Sequence, residues 1–153
     1  MFLPFLLAIT LPTGWPTAPA GDKIELDTFP VHAHLLPSGK QALILHSGFK
    51  PPTLAILDLT TQKRIHQITF KEAGINFAFD TATNEVFIPG GHQSNFSILK
   101  LENERFTTTA TFPLDSPTGP ASTIAISPTQ VAITQTLHDT LTVHNRQTKQ
   151  TTR

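Results

Sequence analysis

Two histidines separated by one residue are the side chains with the clearest potential for chemistry in this sequence. His32 and His34 fall in a predicted strand, where residues two apart point to the same face. Two imidazoles on one face could bind a metal ion, although no third ligand stands at a recognisable spacing. The alternative is that both rings line a central channel, formed by the first strand of each repeat.

Two turn-rich loops are the other candidates for binding. The first contains Ser47, Gly48, Phe49 and Lys50, and the second contains Gly90, Gly91, His92, Gln93 and Asn95. The second loop is not a phosphate-binding P-loop, because the Gly-Lys-Ser/Thr ending is missing. We interpret both loops first as turn chemistry. The alternative is a binding face, because loops carry binding residues more often than the strands that they join.

No arrangement for catalysis can be assembled from the sequence. There is no cysteine and no G-x-S-x-G motif, which excludes thiol chemistry and the nucleophile elbow of serine hydrolases. Asp58 and Asp80 stand next to predicted strands, where a carboxylate commonly caps a turn. We therefore predict no catalytic residue, no metal and no cofactor.

Charge and composition narrow the class of protein. The chain has 153 residues, enough for one domain with a core, and 11 basic residues balance 11 acidic ones. This balance argues against nucleic acid as a partner, since nucleic-acid binders need a basic excess. Charged residues make up 14% of the chain, well below the roughly 25% of typical soluble domains. The composition indicates a β-rich, weakly charged globular domain.

The body of the chain repeats. Three segments align, at residues 29–73, 74–118 and 119–153. One set of matching apolar positions has spacings of 44 and 45 residues: Leu43, Phe87 and Ala132. A second set has spacings of 42 and 45 residues: Ile56, Ile98 and Val143. A period in the forties is typical of a four-stranded propeller blade.

Strand signals within each repeat agree with this period. Apolar runs at 42–45 and 85–88 predict second strands, and runs at 54–57 and 96–99 predict third strands. Residues 62–73 could form a short helix, but their alternation favours a strand. The sequence thus predicts an all-β fold, a partial β-propeller of about two and a half to three four-stranded antiparallel blades.

The order of these motifs resembles that of YncE-like, YVTN-type β-propellers. The resemblance is carried by residues 29–31, 36–40 and 54–61 of the first repeat and by Gly74 and residues 77–80 and 87–91 of the second. Residues 11–21 resemble the segment that leads into propellers fused to an alkaline-phosphatase-like phosphoesterase domain. The family is also similar to quinoprotein-dehydrogenase-like propellers, but no cofactor residues carry over to this chain.

The third repeat departs from the pattern. It is expected to stop after its third strand, at residues 141–143, and to continue as a polar tail. A closed propeller needs roughly four to eight blades, and an open stack leaves apolar faces uncovered. We therefore expect a fragment of a longer protein. The alternative is self-association through the open blade edges, which would complete a ring from several chains.

The N-terminus predicts export. Residues 1–10 are apolar but too short for a membrane span, which needs roughly 20 residues, and they fit the core of a secretory signal. Ala18-Pro19-Ala20 satisfies a small-x-small cleavage pattern, so residues 1–20 are a signal peptide or lead segment and 21–153 the incomplete propeller. Cleavage near Thr10 is the alternative, because residues 11–21 resemble part of the propeller. The expected location is periplasmic or extracellular.

Together these patterns predict a non-catalytic, exported propeller that binds an unidentified protein or small molecule, or serves as a scaffold. The alternative function is the N-terminal propeller of a secreted, metal-dependent phosphoesterase. Its catalytic domain would lie outside these 153 residues.

Overall fold

Three four-stranded antiparallel sheets make up the body of the protein. The computed structural model describes residues 9–10, 16–17, 24–114, 119–137 and 139–152. The predicted all-β class is confirmed. No helix in this part of the chain is long and apolar enough to cross a membrane. Most of the predicted signal and of the lead segment at residues 11–21 lies outside the described residues.

Each sheet is built from four strands that are consecutive in the chain. Blade 1 contains β3 (Pro30–Leu35), β4 (Gln41–His46), β5 (Thr53–Asp58) and β6 (Lys63–Thr69). Blade 2 contains β7 (Ala78–Asp80), β8 (Glu85–Pro89), β9 (Asn95–Glu102) and β10 (Arg105–Pro113). Blade 3 contains β11 (Ala121–Ile126), β12 (Gln130–Gln135), β13 (Thr140–Asn145) and β14 (Thr151–Thr152). A separate short pair is formed by β1 (Ile9–Thr10) and β2 (Pro16–Thr17).

The connections divide between two ends of the stack. At one end, here called the turn end, tight turns join first to second and third to fourth strands. Several turn residues have left-handed backbone there, including Gly39 (φ 68°), Asn84 (φ 52°) and Asn103 (φ 49°), a conformation that glycine and asparagine tolerate best. At the other end, here called the loop end, longer loops join the second strand of each blade to the third.

Blade 3 has a fourth strand, so the prediction that its repeat ends after the third strand is wrong. Thr151 and Thr152 of β14 pair with His144 and Val143 of β13. The turn between the two strands forms because the Asn145 carboxamide oxygen accepts backbone N–H bonds from positions 147 and 148, both at 2.9 Å. An asparagine that caps a turn in this way can turn a polar segment back into the sheet.

Two apolar cores lie between the blades. In the first, Leu43, Leu45, Leu54 and Ile56 of blade 1 pack against blade 2. In the second, blade 2 packs against Ala121, Ile124, Val131 and Ile133 of blade 3. Blade 2 supplies side chains to both, because neighbouring residues of a strand point to opposite faces. Val86 and Ile88 enter the first core, and Phe87, between them, enters the second.

The segment between blades 1 and 2 forms hydrogen bonds to blade 2 and to blade 3. The Gly74 N–H donates to the Pro89 carbonyl (2.7 Å), and the Ile75 N–H donates to the Ser122 carbonyl (2.9 Å). The Asn76 side chain accepts from the Ile124 N–H (2.9 Å) and donates to its carbonyl (3.0 Å). Adjacent blades are therefore joined by directional bonds as well as by apolar packing.

The outer face of blade 1 carries a smaller third cluster. Ala42, Ile44 and Leu57 are buried there, and Ile24 packs against them. The corresponding outer face of blade 3 is more open, with Leu141 54% exposed. The two outer faces therefore differ in how much apolar surface they leave in contact with solvent.

A buried histidine lies in the packing between blades 2 and 3. The His144 ring is 5.2 Å from the Phe96 centroid and 4.6 Å from the Phe112 centroid. Its Nδ1 is 3.0 Å from the Thr151 hydroxyl, and its Nε2 has no hydrogen-bond partner among the described residues. Burial, with a smaller contribution from Lys149, lowers the pKa of His144 below its usual 6.5.

This lowered pKa makes stability depend on pH. Below about pH 6.5 the unfolded chain gains a proton that folded His144 resists, so the free energy of unfolding should fall on acidification. His144→Leu should show a shallower fall than the wild type in urea titrations between pH 7.5 and 5. The exposed His92→Leu variant is the control and should keep the wild-type slope. Equal slopes in all three proteins would contradict this assignment.

Candidate binding face at the loop end

The first candidate loop, residues 47–52, is held against the start of blade 1. The Ser47 N–H donates to the Phe29 carbonyl at 3.1 Å. Gly48 lies directly under the Phe29 side chain, so close that a Cβ at Gly48 would stand 2.6 Å from that of Phe29. The loop and the residue that precedes β3 thus form one packed unit.

An aromatic pair projects from this unit into solvent. The rings of Phe29 and Phe49 meet edge to face, with centroids 5.7 Å apart and an interplanar angle of 89°. Phe49 is 93% exposed and Phe29 is 56% exposed. Phe29 also has left-handed backbone (φ 57°), which is uncommon for a bulky residue. Strained backbone beneath exposed rings is a feature often found at functional sites.

An ion pair borders the aromatic pair. Lys50 Nζ lies 3.0 Å from Asp27 Oδ1, and the same carboxylate oxygen accepts the Thr28 N–H at 2.7 Å. The Thr28 N–H bond and the Lys50 contact lower the pKa of Asp27. The positive charge of the candidate residue Lys50 is therefore already balanced.

The second candidate loop is largely structural. Gly91 and Ala121 exchange two backbone hydrogen bonds (3.2 and 2.8 Å), and the Gly90 N–H donates to the Asn95 carbonyl (2.8 Å). The buried Ser94 hydroxyl donates to the Gly119 carbonyl at 2.9 Å. The exposed residues of the loop are His92 and Gln93, which leaves these two accessible to a ligand.

Exposed apolar side chains recur along the loop end. They come from the start of blade 1, its second-to-third-strand loop, the connection to blade 2 and the corresponding loop of blade 3: Phe29, Phe49, Ile75 and Leu137. Phe29 and Phe49 are in ring contact, and exposed apolar side chains that lie together mark interaction sites on soluble proteins more often than scattered ones do. We call these four residues the loop-end patch.

The structure places the two candidate histidines between blades 1 and 2. The His32 ring meets Phe77 edge on at 4.7 Å, and the His34 ring lies 5.4 Å from Phe79. Burial, followed by repulsion from His34, lowers the pKa of His32. No group of three or more His, Cys, Asp or Glu side chains that could hold a metal ion occurs within the described ranges.

Both aspartates singled out from the sequence cap turns at the turn end, as predicted. Asp58 Oδ1 accepts the N–H groups of Thr60 (2.7 Å) and Thr61 (3.0 Å), and these bonds lower its pKa. Asp80 Oδ1 accepts the Ala82 N–H at 3.0 Å. Asp80 also has a partner from blade 3, which no pattern in the sequence predicts.

That partner is Arg146, which lies in the turn between β13 and β14 of blade 3 and contacts blade 2. Its Nη2 lies 2.7 Å from Asp80 Oδ2 and 3.2 Å from Glu85 Oε2. Its Nη1 donates to the Ser127 carbonyl at 2.9 Å, and its guanidinium stands 4.9 Å from the centroid of the Phe87 ring. Burial raises the pKa of Asp80, but its bonds to Arg146 and Ala82 outweigh this and hold it below its usual value.

A cavity of about 330 Å³ opens beside this ion pair at the turn end. Blade 2 contributes residues 79–83 to its lining, and blade 3 contributes residues 126–128 and Arg146. Phe79 and Ile126 lie near the ends of β7 and β11, the first strands of their blades. The cavity therefore lies where the first strands of two neighbouring blades end.

Comparison with solved structures identifies the architecture. The chain is similar to the β-propeller domain of Myceliophteria thermophila Cps50 (Swd1), with a TM-score of 0.66 and 14% identity over 79% of this chain. It is similar to Kuenenia stuttgartiensis hydrazine synthase, with a TM-score of 0.65 and 14% identity over 90% of the chain. A 6-phosphogluconolactonase-like protein of Bacteroides fragilis gives a TM-score of 0.61 and 13% identity over 80%.

These likenesses confirm the predicted partial β-propeller. The chain spans 39%, 38% and 37% of the lengths of the three solved chains. At such low identities the likeness defines the fold alone. No family model matches the sequence, and no curated protein matches it either.

Proposed function

We propose that this chain is a non-catalytic β-propeller module that binds a protein partner through the loop-end patch. The observation that carries the proposal is Phe49, an almost fully exposed aromatic ring that is supported by Phe29 and by the packed loop beneath it. Aromatic side chains are enriched at the energetic centres of protein interfaces, where they bury a large area with few rotatable bonds. A phenylalanine this exposed adds little to the stability of the isolated fold.

The proposal is tested by separating binding from stability at position 49. Phe49→Ser should change the free energy of unfolding by less than about 0.5 kcal/mol, as is usual for exposed sites. Peptides selected from a random phage-displayed library on the wild-type protein should bind this variant at least about tenfold more weakly, as expected for an interface anchor. Titration calorimetry with the synthesised peptides measures the change.

Ile65→Ser is the matched control. Ile65 is a partly exposed apolar residue of the same blade, but it lies on β6 and away from the loop end. The Ile65→Ser substitution should leave the affinity for the selected peptides unchanged. Peptides that bind Phe49→Ser and the wild type equally well would disprove the proposed face. Light scattering of the same samples distinguishes partner binding from self-association through the outer blade faces.

We further propose that the module is exported and related to the YncE-like, YVTN-type propellers. The support comes from the apolar run at residues 1–10, the small-x-small motif ending at Ala20, and the order of the repeat motifs. Intact-mass analysis of the secreted protein should find an N-terminus after residue 10 or after residue 20. Recovery of the complete chain in the cytoplasm, with Met1 retained, would count against export.

A further inference from the structure

We infer that the cavity at the turn end, between blades 2 and 3, binds the ammonium or guanidinium group of a small organic cation. This site is distinct from the loop-end patch, because it lies at the opposite end of the blades. It has a concave shape, a mixed lining and a fixed charged pair, which are the usual features of a small-ligand site.

The walls suit a ligand with an apolar body. Phe79 and Ile126 line the cavity from the two blades, and Ala82 and Pro128 add to the apolar lining. The volume of about 330 Å³ is at the lower end of the range found for ligand pockets. It can hold a short alkyl chain or a single ring together with one charged group.

The charge around the cavity favours a cation. Asp80 and Glu85 contribute two negative charges, and Arg146, in contact with both, contributes one positive charge. Lys100 donates to the Thr83 carbonyl (2.6 Å) but also lies 3.9 Å from Glu102, so it does not change the local balance. Within the lining itself Asp80 and Arg146 balance, and the excess negative charge comes from Glu85, which stands beside the cavity and shares Arg146. Asp80 is held ionised, since its contacts lower its pKa.

Arg146 is poorly placed to attract an anion instead. Its Nη2 is shared by Asp80 and Glu85, its Nη1 donates to Ser127, and one face of its guanidinium lies over the Phe87 ring. A donor already engaged by carboxylates offers little to a second anion. The Asp80 carboxylate, 15% exposed and lining the cavity, can accept a further hydrogen bond.

The test uses three probes of similar size and different charge. Isothermal titration calorimetry with n-butylammonium, 1-butanol and butyrate should show that the ammonium ion binds at least about tenfold more tightly than the other two, equivalent to about 1.4 kcal/mol. Added salt should weaken this binding, because it screens the charge of the site. Tighter binding of butyrate, equal binding of all three probes, or binding of none would overturn the inference.

Two variants and a control keep the test independent of folding. Asp80→Asn should abolish the preference for butylammonium, and Asp58→Asn, a turn-capping aspartate of blade 1 outside the cavity, should retain it. If Asp80→Asn fails to fold, Thr81→Trp provides the second variant. Thr81 is exposed and lines the cavity, so a large ring there should fill the space and remove binding while the ion-pair residues stay unchanged.

Discussion

Gly74→Ala is expected to lower the free energy of unfolding by about 3 kcal/mol, the upper part of the range for overpacked sites. A Cβ at this position would stand 2.3 Å from the Ser122 carbonyl oxygen and 2.9 Å from that of Ala121. Both are backbone atoms of blade 3, so no side chain can rotate away. Relief requires moving the connection that contains Gly74 away from blade 3, which also strains the bonds from Gly74 to Pro89 and from Ile75 to Ser122. Urea-induced unfolding measures the loss.

Gly39→Ala is the matched control for this prediction. Gly39 has left-handed backbone (φ 68°), but nothing lies within 4 Å of the Cβ that alanine would add. Its substitution should lower the free energy of unfolding by only about 1 kcal/mol, the cost of left-handed backbone. If Gly74→Ala is no more destabilising than Gly39→Ala, the close contact between the connection and blade 3 does not exist in solution.

Arg146→Met is expected to lower the free energy of unfolding by about 2 kcal/mol. The substitution leaves Asp80 and Glu85 without their shared partner, and breaking a buried pair costs about 3–5 kcal/mol. Arg146 and Asp80 retain 13% and 15% of their side-chain exposure, which reduces the expected loss. Methionine keeps the apolar stem of the side chain, so the change reports mainly on the charged group. Lys50→Met removes an exposed ion pair at the loop end and should have a much smaller effect.

The acid dependence of stability provides a second readout for the same pair. Because its folded pKa is below the unfolded value of 3.8, Asp80 contributes stability that is complete above pH 3.8 and lost as pH falls through the folded pKa. Arg146→Met should remove that part of the acid-induced loss. A double-mutant cycle with Asp80→Asn isolates the pair. Additive effects of the two substitutions would show that the side chains do not interact.

The repeat pattern in the sequence was sufficient to predict the architecture. Leu43, Phe87 and Ala132, aligned from their spacing, lie on β4, β8 and β12, the second strands of the three blades. The alignment is correct even in orientation, since Leu43 faces blade 2 and Phe87 faces blade 3. Periodicity succeeds here because every blade must bury the same strand positions against its neighbour.

The contacts between blades at the turn end could not be predicted. Arg146 and Asp80 are 66 positions apart, and their meeting depends on how two blades stack, which no local pattern records. Arg146 follows the third strand, where the sequence predicts a polar tail, because no local pattern shows that Asn145 caps a turn back into the sheet. Of the candidate loop residues, Phe49 is exposed, whereas Gly90 and Gly91 are buried in contacts of their own.

The alternation of β8 between two cores has a consequence for slow motions of the backbone. Val86 and Phe87 are neighbours in the chain but belong to different cores, so opening either blade interface alone leaves the strand paired on both edges. Amide protons of β8 should therefore exchange with deuterium only when the whole stack opens. Those of β14, a two-residue edge strand, should exchange through local fraying. We therefore expect the amide protons of β8, in the middle blade, to exchange much more slowly than those of β14.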